Sequence, residues 1–195
     1  MQHILLRIVS KAEYSKIMNW SLVNKILNIA LIILVAGYII KYLYQRPKFD
    51  SGEKAKDFTS VLWSGEKFSL SNLQGKYVLL DFWGSWCGPC RKENADLVPL
   101  YSEMKGKNFI NAGGFEIVSV GIENKKENWE GAIKNDRMDW PYHIGEFEKF
   151  NGPIARLYSV RQIPTTYLIN PEGMIISVNP SPDKIRSYLL EKTEK

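Results

Sequence analysis

Tyr77-Val78-Leu79-Leu80-Asp81-Phe82-Trp83 runs directly into Gly84-Ser85-Trp86-Cys87-Gly88-Pro89-Cys90, and this junction decides the fold. The first seven residues are apolar apart from Asp81 and read as a central strand covered on both faces. Cys87 and Cys90 are the chain's two cysteines. Two thiols separated by two residues can close into a small disulfide ring and reopen. Pro89 suits the first turn of a helix, where a missing N–H leaves nothing unsatisfied. A helix starting here places partial positive charge and free N–H groups beside Cys87. That favours the thiolate, the form that attacks disulfides.

A purely structural disulfide fits less well. In the chain-entropy account a four-residue loop contributes about 2 kcal/mol, against about 4.7 for a 100-residue loop. Half of a structural zinc site also fits poorly. Such a site usually takes four Cys or His ligands, and the chain has two Cys and two His, with His3 far away beyond an apolar segment.

The 195 residues suit one domain of about 150 residues with an appendage. The net charge is +5, but its distribution argues against nucleic acid. Residues 1–50 carry seven Lys/Arg against Glu13 and Asp50, and the remainder is balanced. The whole excess flanks one apolar segment, where basic groups meet lipid headgroups. No nucleic-acid partner is expected.

That segment is read as a transmembrane helix over 22–44, after an N-terminal flank over 1–21. Ile26 to Ile40 has no charged residue, and Lys25 and Lys41 bracket it. Roughly 20 apolar residues span a bilayer core. The segment is apolar around its whole circumference, unlike a buried helix of a globular domain. A cleaved signal peptide is the closer rival, but no small-x-small site precedes Lys41. An uncleaved anchor is expected, with Met18 as an alternative start. Basic residues lie on both sides, so charge alone leaves the orientation open. Residues 45–55 are polar, contain Pro47 and Gly52, and read as a linker. The domain proper is expected over 56–192.

Within it, Phe58 to Leu70 alternates around Ser64-Gly65 and predicts a β-hairpin. The spacing of Leu97, Leu100, Tyr101 and Met104 predicts a helix over 88–105, kinked at Pro99. Further strands are expected at 115–122, 165–169 and 174–178, the last two joined by Asn170-Pro171-Glu172-Gly173. Helices are expected at 126–137 and 182–191, and a short helix or turn at 152–158. Strand, helix, strand, helix, hairpin, helix implies an α/β domain with a mixed sheet covered by helices.

From about Lys56 to Lys192 the chain resembles the membrane-anchored thioredoxin-like proteins of the TlpA/ResA group, within the AhpC/TSA-like thioredoxin superfamily. The residues that carry the resemblance are Ala55-Lys56-Asp57-Phe58, Phe68 to Lys76, Leu80 to Glu93 and Ile163-Pro164-Thr165-Thr166-Tyr167-Leu168-Ile169. One departure is Ala95, where the family often has a helix-kinking Pro; Pro99 comes a turn later. The resemblance implies a thioredoxin-like fold with an N-terminal hairpin extension. It implies thiol–disulfide oxidoreductase activity, with apocytochrome c maturation as a setting. It also implies a bacterial cytoplasmic-membrane location with the domain on the extracytoplasmic side. Disulfide-containing proteins are the expected substrates, a membrane electron-donor thiol protein the expected reductant, and the bilayer the partner of the anchor. No cofactor beyond the Cys87–Cys90 disulfide and no metal are expected.

Cys87 is the expected nucleophile, partly exposed, and Cys90 the resolving thiol. From position alone Asp81 is as compatible with a solvent-facing strand end as with a buried acid. The resemblance implies the latter, a carboxylate that takes the proton from Cys90. Glu93, one turn after Cys90, either tunes Cys90 or favours the helix N-terminus. Pro164 is cis by the resemblance, presenting the backbone of Ile163 to an extended substrate. Trp86, Gly88 and Pro89 complete the expected substrate-binding surface. Trp83, Trp129, Trp140 and His143 read as packing. The Gly-Pro dipeptide suggests a reductant, as in thioredoxins with potentials of about −270 mV. Two alternatives remain. A thiol peroxidase on the same fold would want a Thr close before Cys87. A metal carrier would use Cys87, Cys90 and His143.

Overall fold

The computed structural model describes residues 20–194, and the chain divides into two units, 1–46 and 47–195. The first contains helix α1, Trp20–Gln45, in which no residue is buried. Its 26 residues make a rod of about 39 Å at a rise of about 1.5 Å per residue, long and apolar enough to cross a membrane. Residues 1–19 of the expected flank, Met18 among them, lie outside the described residues.

The second unit is built on a five-stranded sheet of order β5-β4-β3-β6-β7. Its strands are β3 (Tyr77–Trp83), β4 (Phe115–Ile122), β5 (Tyr142–Glu146), β6 (Thr165–Ile169) and β7 (Ile175–Val178). β4 runs parallel to β3 and to β5, whereas β6 is antiparallel to both β3 and β7. This is the mixed sheet expected. The hairpin β1 (Thr59–Val61) and β2 (Lys67–Ser69) forms a separate two-stranded sheet, with Thr59 opposite Ser69. Gly65 takes φ +89° at its turn, a conformation that suits a residue without Cβ.

β3 is buried along its whole length. Its side chains alternate between two cores. Tyr77, Leu79 and Trp83 face one that also contains Leu97, Leu100 and Met104 of helix α2 (Gly88–Met104), Trp129 of α3 (Lys126–Asn135) and Ile185 and Leu189 of α5 (Pro182–Glu191). Val78, Leu80 and Phe82 face the other, with Phe58 and Phe68 of the hairpin region and Ile154 of α4 (Pro153–Leu157). Full burial of each Leu or Phe contributes about 1.5–3 kcal/mol. A strand inserted between two such cores is held rigidly, and so is the loop at its end.

Two features differ from the sequence reading. Residues 49–55, expected as linker, are built into the domain. Phe49 is buried against Tyr158, and the N–H groups of Gly52 and Ala55 bond the carbonyls of Ile175 and Gly173. The apolar side chain and these main-chain bonds pin a segment whose composition looked flexible. β5 was not expected as a strand. It follows Pro141 directly and is interrupted by Gly145, so it shows no clean alternation. The helix expected over 88–105 is α2, which carries Pro99 inside it.

Candidate active site

β3 ends at Trp83, and four residues later Cys87 caps α2. Cys87 has extended backbone (φ −94°, ψ 103°), and its sulfur accepts from the Cys90 N–H at 3.2 Å. That N–H is one of the donors a helix leaves unmatched at its start. Cys87 and Cys90 are joined by a disulfide, with Cα atoms 5.2 Å apart. Cys87 retains 6% exposure and Cys90 1%. Cys87 is therefore more enclosed than expected, because both cysteines belong to the α2-side core and Ile163 packs against it. Gly88 and Pro89, in contrast, are exposed.

The loop before Cys87 is clamped from several sides. The Ser85 N–H and hydroxyl both donate to the carboxylate of Glu123, the residue following β4. The Trp86 indole N–H donates to the Ile122 carbonyl at 2.8 Å, while its ring, 53% exposed, stands edge-on to Phe150. Arg91 holds Asp136 through two nitrogens and reaches the Ser85 carbonyl. Asn94 donates to the same Asp136 at 3.0 Å. Gly84 fits under this arrangement because it has no side chain. A Cβ there would lie 2.9 Å from Trp86 Nε1 and 3.0 Å from Ile163 Cδ1.

The Ile163–Pro164 bond is cis. The strand it opens, β6, is tied to Asn179, whose N–H and side-chain oxygen bond the carbonyl and N–H of Thr166, each at 2.8 Å. Pro164 and Thr166 share a groove with Pro89, Glu93, Asp96 and Asn179. Of the expected surface, Trp86, Gly88, Pro89, Ile163 and Pro164 thus lie around the disulfide end of α2. A second pocket, between Leu70, Leu73, Val78 and Ile169, lies at the opposite end of the sheet, where β3 starts and β6 finishes.

Asp81 is buried at 2% exposure. It lies between Leu79 and Trp83 on the α2 side of β3 and receives a hydrogen bond from the Ser119 hydroxyl at 3.1 Å. Burial pushes its carboxyl up to about 8, the Glu93 charge adds to this, and the Ser119 bond pulls the other way. Glu93 is half-buried and raised by its own burial and by Asp96. Glu123 is fully buried; burial raises it, while the Ser85 donors, Arg91 and Lys149 oppose the rise. His143, by contrast, is pulled down to about 4 by burial, and its Nε2 lies 3.1 Å from the Met138 carbonyl. Among the described residues no group of three or more His, Cys, Asp or Glu could hold a metal ion.

Sequence reasoning missed Glu123 and Ser119. Both had a usable signal. Glu123 follows the parallel strand next to β3, and side chains at the carboxyl ends of such strands gather at one edge. Ser119 interrupts the apolar run of β4.

Comparison with known proteins agrees with this geometry. The thiol-disulfide oxidoreductase ResA of Bacillus subtilis is 31% identical over 149 residues, 75% of this chain and 78% of that protein. The ResA of Oceanobacillus iheyensis is 32% identical over 171 residues, covering 82% and 83%. Among solved structures, the thioredoxin domain of a thiol-disulfide oxidoreductase from Bacteroides vulgatus superposes with a TM-score of 0.64 at 28% identity, over 74% of this chain and 98% of that one. Residues 51–178 match the AhpC/TSA family. The chain belongs to that family, and it is a thiol–disulfide oxidoreductase of thioredoxin fold.

Proposed function

We propose that this protein is a membrane-anchored reductant of protein disulfides on the extracytoplasmic side of a bacterial cytoplasmic membrane, acting through Cys87 and Cys90. The observation that carries the reading is the placement of this pair at the start of α2, beside cis-Pro164 and on the same face of the sheet as buried Asp81. α1 supplies the anchor, with Lys25 and Lys41 toward opposite interfaces.

In the reduced enzyme the Cys87 thiolate attacks one sulfur of a substrate disulfide. A Cys87–substrate bond forms, the substrate S–S bond breaks and one substrate thiolate leaves. Cys90 then gives its proton to the Asp81 carboxylate, and its sulfur attacks Cys87. The mixed disulfide breaks, the second substrate thiolate leaves, and the Cys87–Cys90 disulfide forms. Two electrons have passed to the substrate. A membrane thiol protein restores the dithiol by the same exchange in reverse. Trp86, Gly88 and Pro89 border the approach, and Ile163 offers main chain to an extended segment of substrate. Glu93 raises the proton affinity of Asp81 through its charge. Apocytochrome c is the client class that the family resemblance favours.

The test is Cys90→Ser in intact cells. The variant accumulates mixed disulfides through Cys87, and their partners report both client and compartment. Normal turnover by the variant would contradict the assignment.

A further inference from the structure

Asp81 does not stand alone in its core. Ser119 is its register partner on β4, and the Ser119 hydroxyl lies 3.1 Å from Asp81 Oδ2. The Trp140 indole nitrogen lies 3.0 Å from the same hydroxyl oxygen. Ser119 is fully buried and Trp140 nearly so. An indole N–H can only donate, and a hydroxyl has a single proton. Trp140 therefore occupies an acceptor site of Ser119, and the one Ser119 proton is left to point at Asp81. Trp140 itself has little freedom. Its ring stacks on His143 at 5.5 Å and meets Tyr101 edge-on at 5.7 Å.

We propose that Ser119, oriented by Trp140, is a positioning residue for Asp81, a fixed donor that keeps the carboxylate available to take the Cys90 proton. This rests on the exchange reading above. A donor aimed permanently at one oxygen stabilises the ionised form. Without Trp140 the hydroxyl could rotate and accept from a protonated Asp81, favouring the neutral form. The relay thus works in one direction because its outer member cannot accept.

The other groups around Asp81 do not supply this. From α2 comes the Glu93 charge, which opposes ionisation; the exchange proposed above adds the Cys90 thiol of the reduced enzyme. From β6 the register partner is Thr166, which does not titrate and whose N–H is taken by Asn179. From β5, His143 lies opposite Ser119 and is kept neutral by burial. Ser119 is the donor found on the carboxylate among the described residues.

The test uses the full-length reduced protein in detergent, with the Asp81 carboxyl followed by carbon NMR across pH. Resolution of a preformed Cys87–glutathione mixed disulfide is timed over the same range. Ser119→Ala and Trp140→Phe each move the Asp81 midpoint up by about one pH unit, and below the midpoint resolution slows about tenfold. Ser119→Thr, which keeps the hydroxyl, restores both. Trp140→Phe retains an aromatic ring and removes the N–H, so it reads the relay even if Ser119→Ala folds poorly. A midpoint unchanged in both Ser119→Ala and Trp140→Phe overturns the proposal. Should Asp81→Asn resolve at the parent rate, the exchange role of Asp81 fails instead, and the carboxyl titration still decides whether the relay exists.

Discussion

The carboxylate of Glu123 accepts both the main-chain N–H and the hydroxyl of Ser85, two residues before Cys87 and 38 positions away in sequence. A residue following β4 thus holds the loop that follows β3. Glu123→Ala removes both acceptor oxygens and leaves the Ser85 N–H without a partner. A buried N–H left unsatisfied costs about 1–3 kcal/mol. The variant is expected to lose stability of that order in urea unfolding and to exchange disulfides several-fold more slowly. Parent-like values in both measurements would remove Glu123 from the site.

Asp81 gives the protein a pH-dependent stability of definite sign. Its carboxyl is raised to about 8, first by burial and then by the Glu93 charge. Below about pH 4 it is protonated in both folded and unfolded chains. As pH rises from there toward 8, the unfolded chain ionises and the folded one resists, so stability falls through that window and then levels. The loss is on the order of a few kcal/mol. Asp81→Asn in the oxidised protein therefore gains on the parent between pH 4 and pH 8, as read by urea midpoints. Parallel curves would show that Asp81 ionises normally.

Gly84 leaves room for two side chains that a Cβ would crowd. Its absent Cβ would lie within 3.0 Å of both Trp86 and Ile163. Gly84→Ala displaces the indole from the Ile122 carbonyl or pushes aside the Ile163 side chain ahead of Pro164. Overpacking of this kind costs about 1–3 kcal/mol. Substrate exchange should weaken while the Cys87–Cys90 disulfide still forms, which thiol titration alongside a turnover assay would establish.

Asn179, at φ +49°, ties Thr166 by two hydrogen bonds and so fixes the strand that begins beside cis-Pro164. Asn179→Ala removes the side-chain acceptor. We expect a KM rise of about tenfold for a disulfide peptide with a smaller change in kcat, from steady-state kinetics. A pure kcat effect would mean that the groove formed by Pro164 and Asn179 does not bind substrate.

Much of the site could be read from local chemistry. The thiol pair, the proline within it and the strand ahead of it lie on 14 consecutive residues, and helix-capping rules alone place Cys87 at the start of α2. Asp81 was ambiguous from its position, because a single charge in an apolar strand looks the same whether it meets water or Ser119. The pairings of Glu123, Ser119 and Trp140 were hidden for a related reason. Their partners are 38, 38 and 21 positions away, and no periodicity encodes such pairings. β5 was masked by Pro141 and Gly145, and the 49–55 strap by a polar composition in which only Phe49 is buried in the core and Ala55 packs against it.

In the proposed exchange Cys87 opens the reaction and Cys90 closes it. Mixing the reduced full-length protein with a disulfide-bridged peptide, quenching in acid and mapping the linked sulfur by mass spectrometry tests it most directly. The parent passes through a Cys87–peptide adduct to the Cys87–Cys90 disulfide, Cys90→Ser stops at that adduct, and Cys87→Ser forms none. An adduct on Cys90 in the parent, or full exchange by Cys87→Ser, would contradict the account.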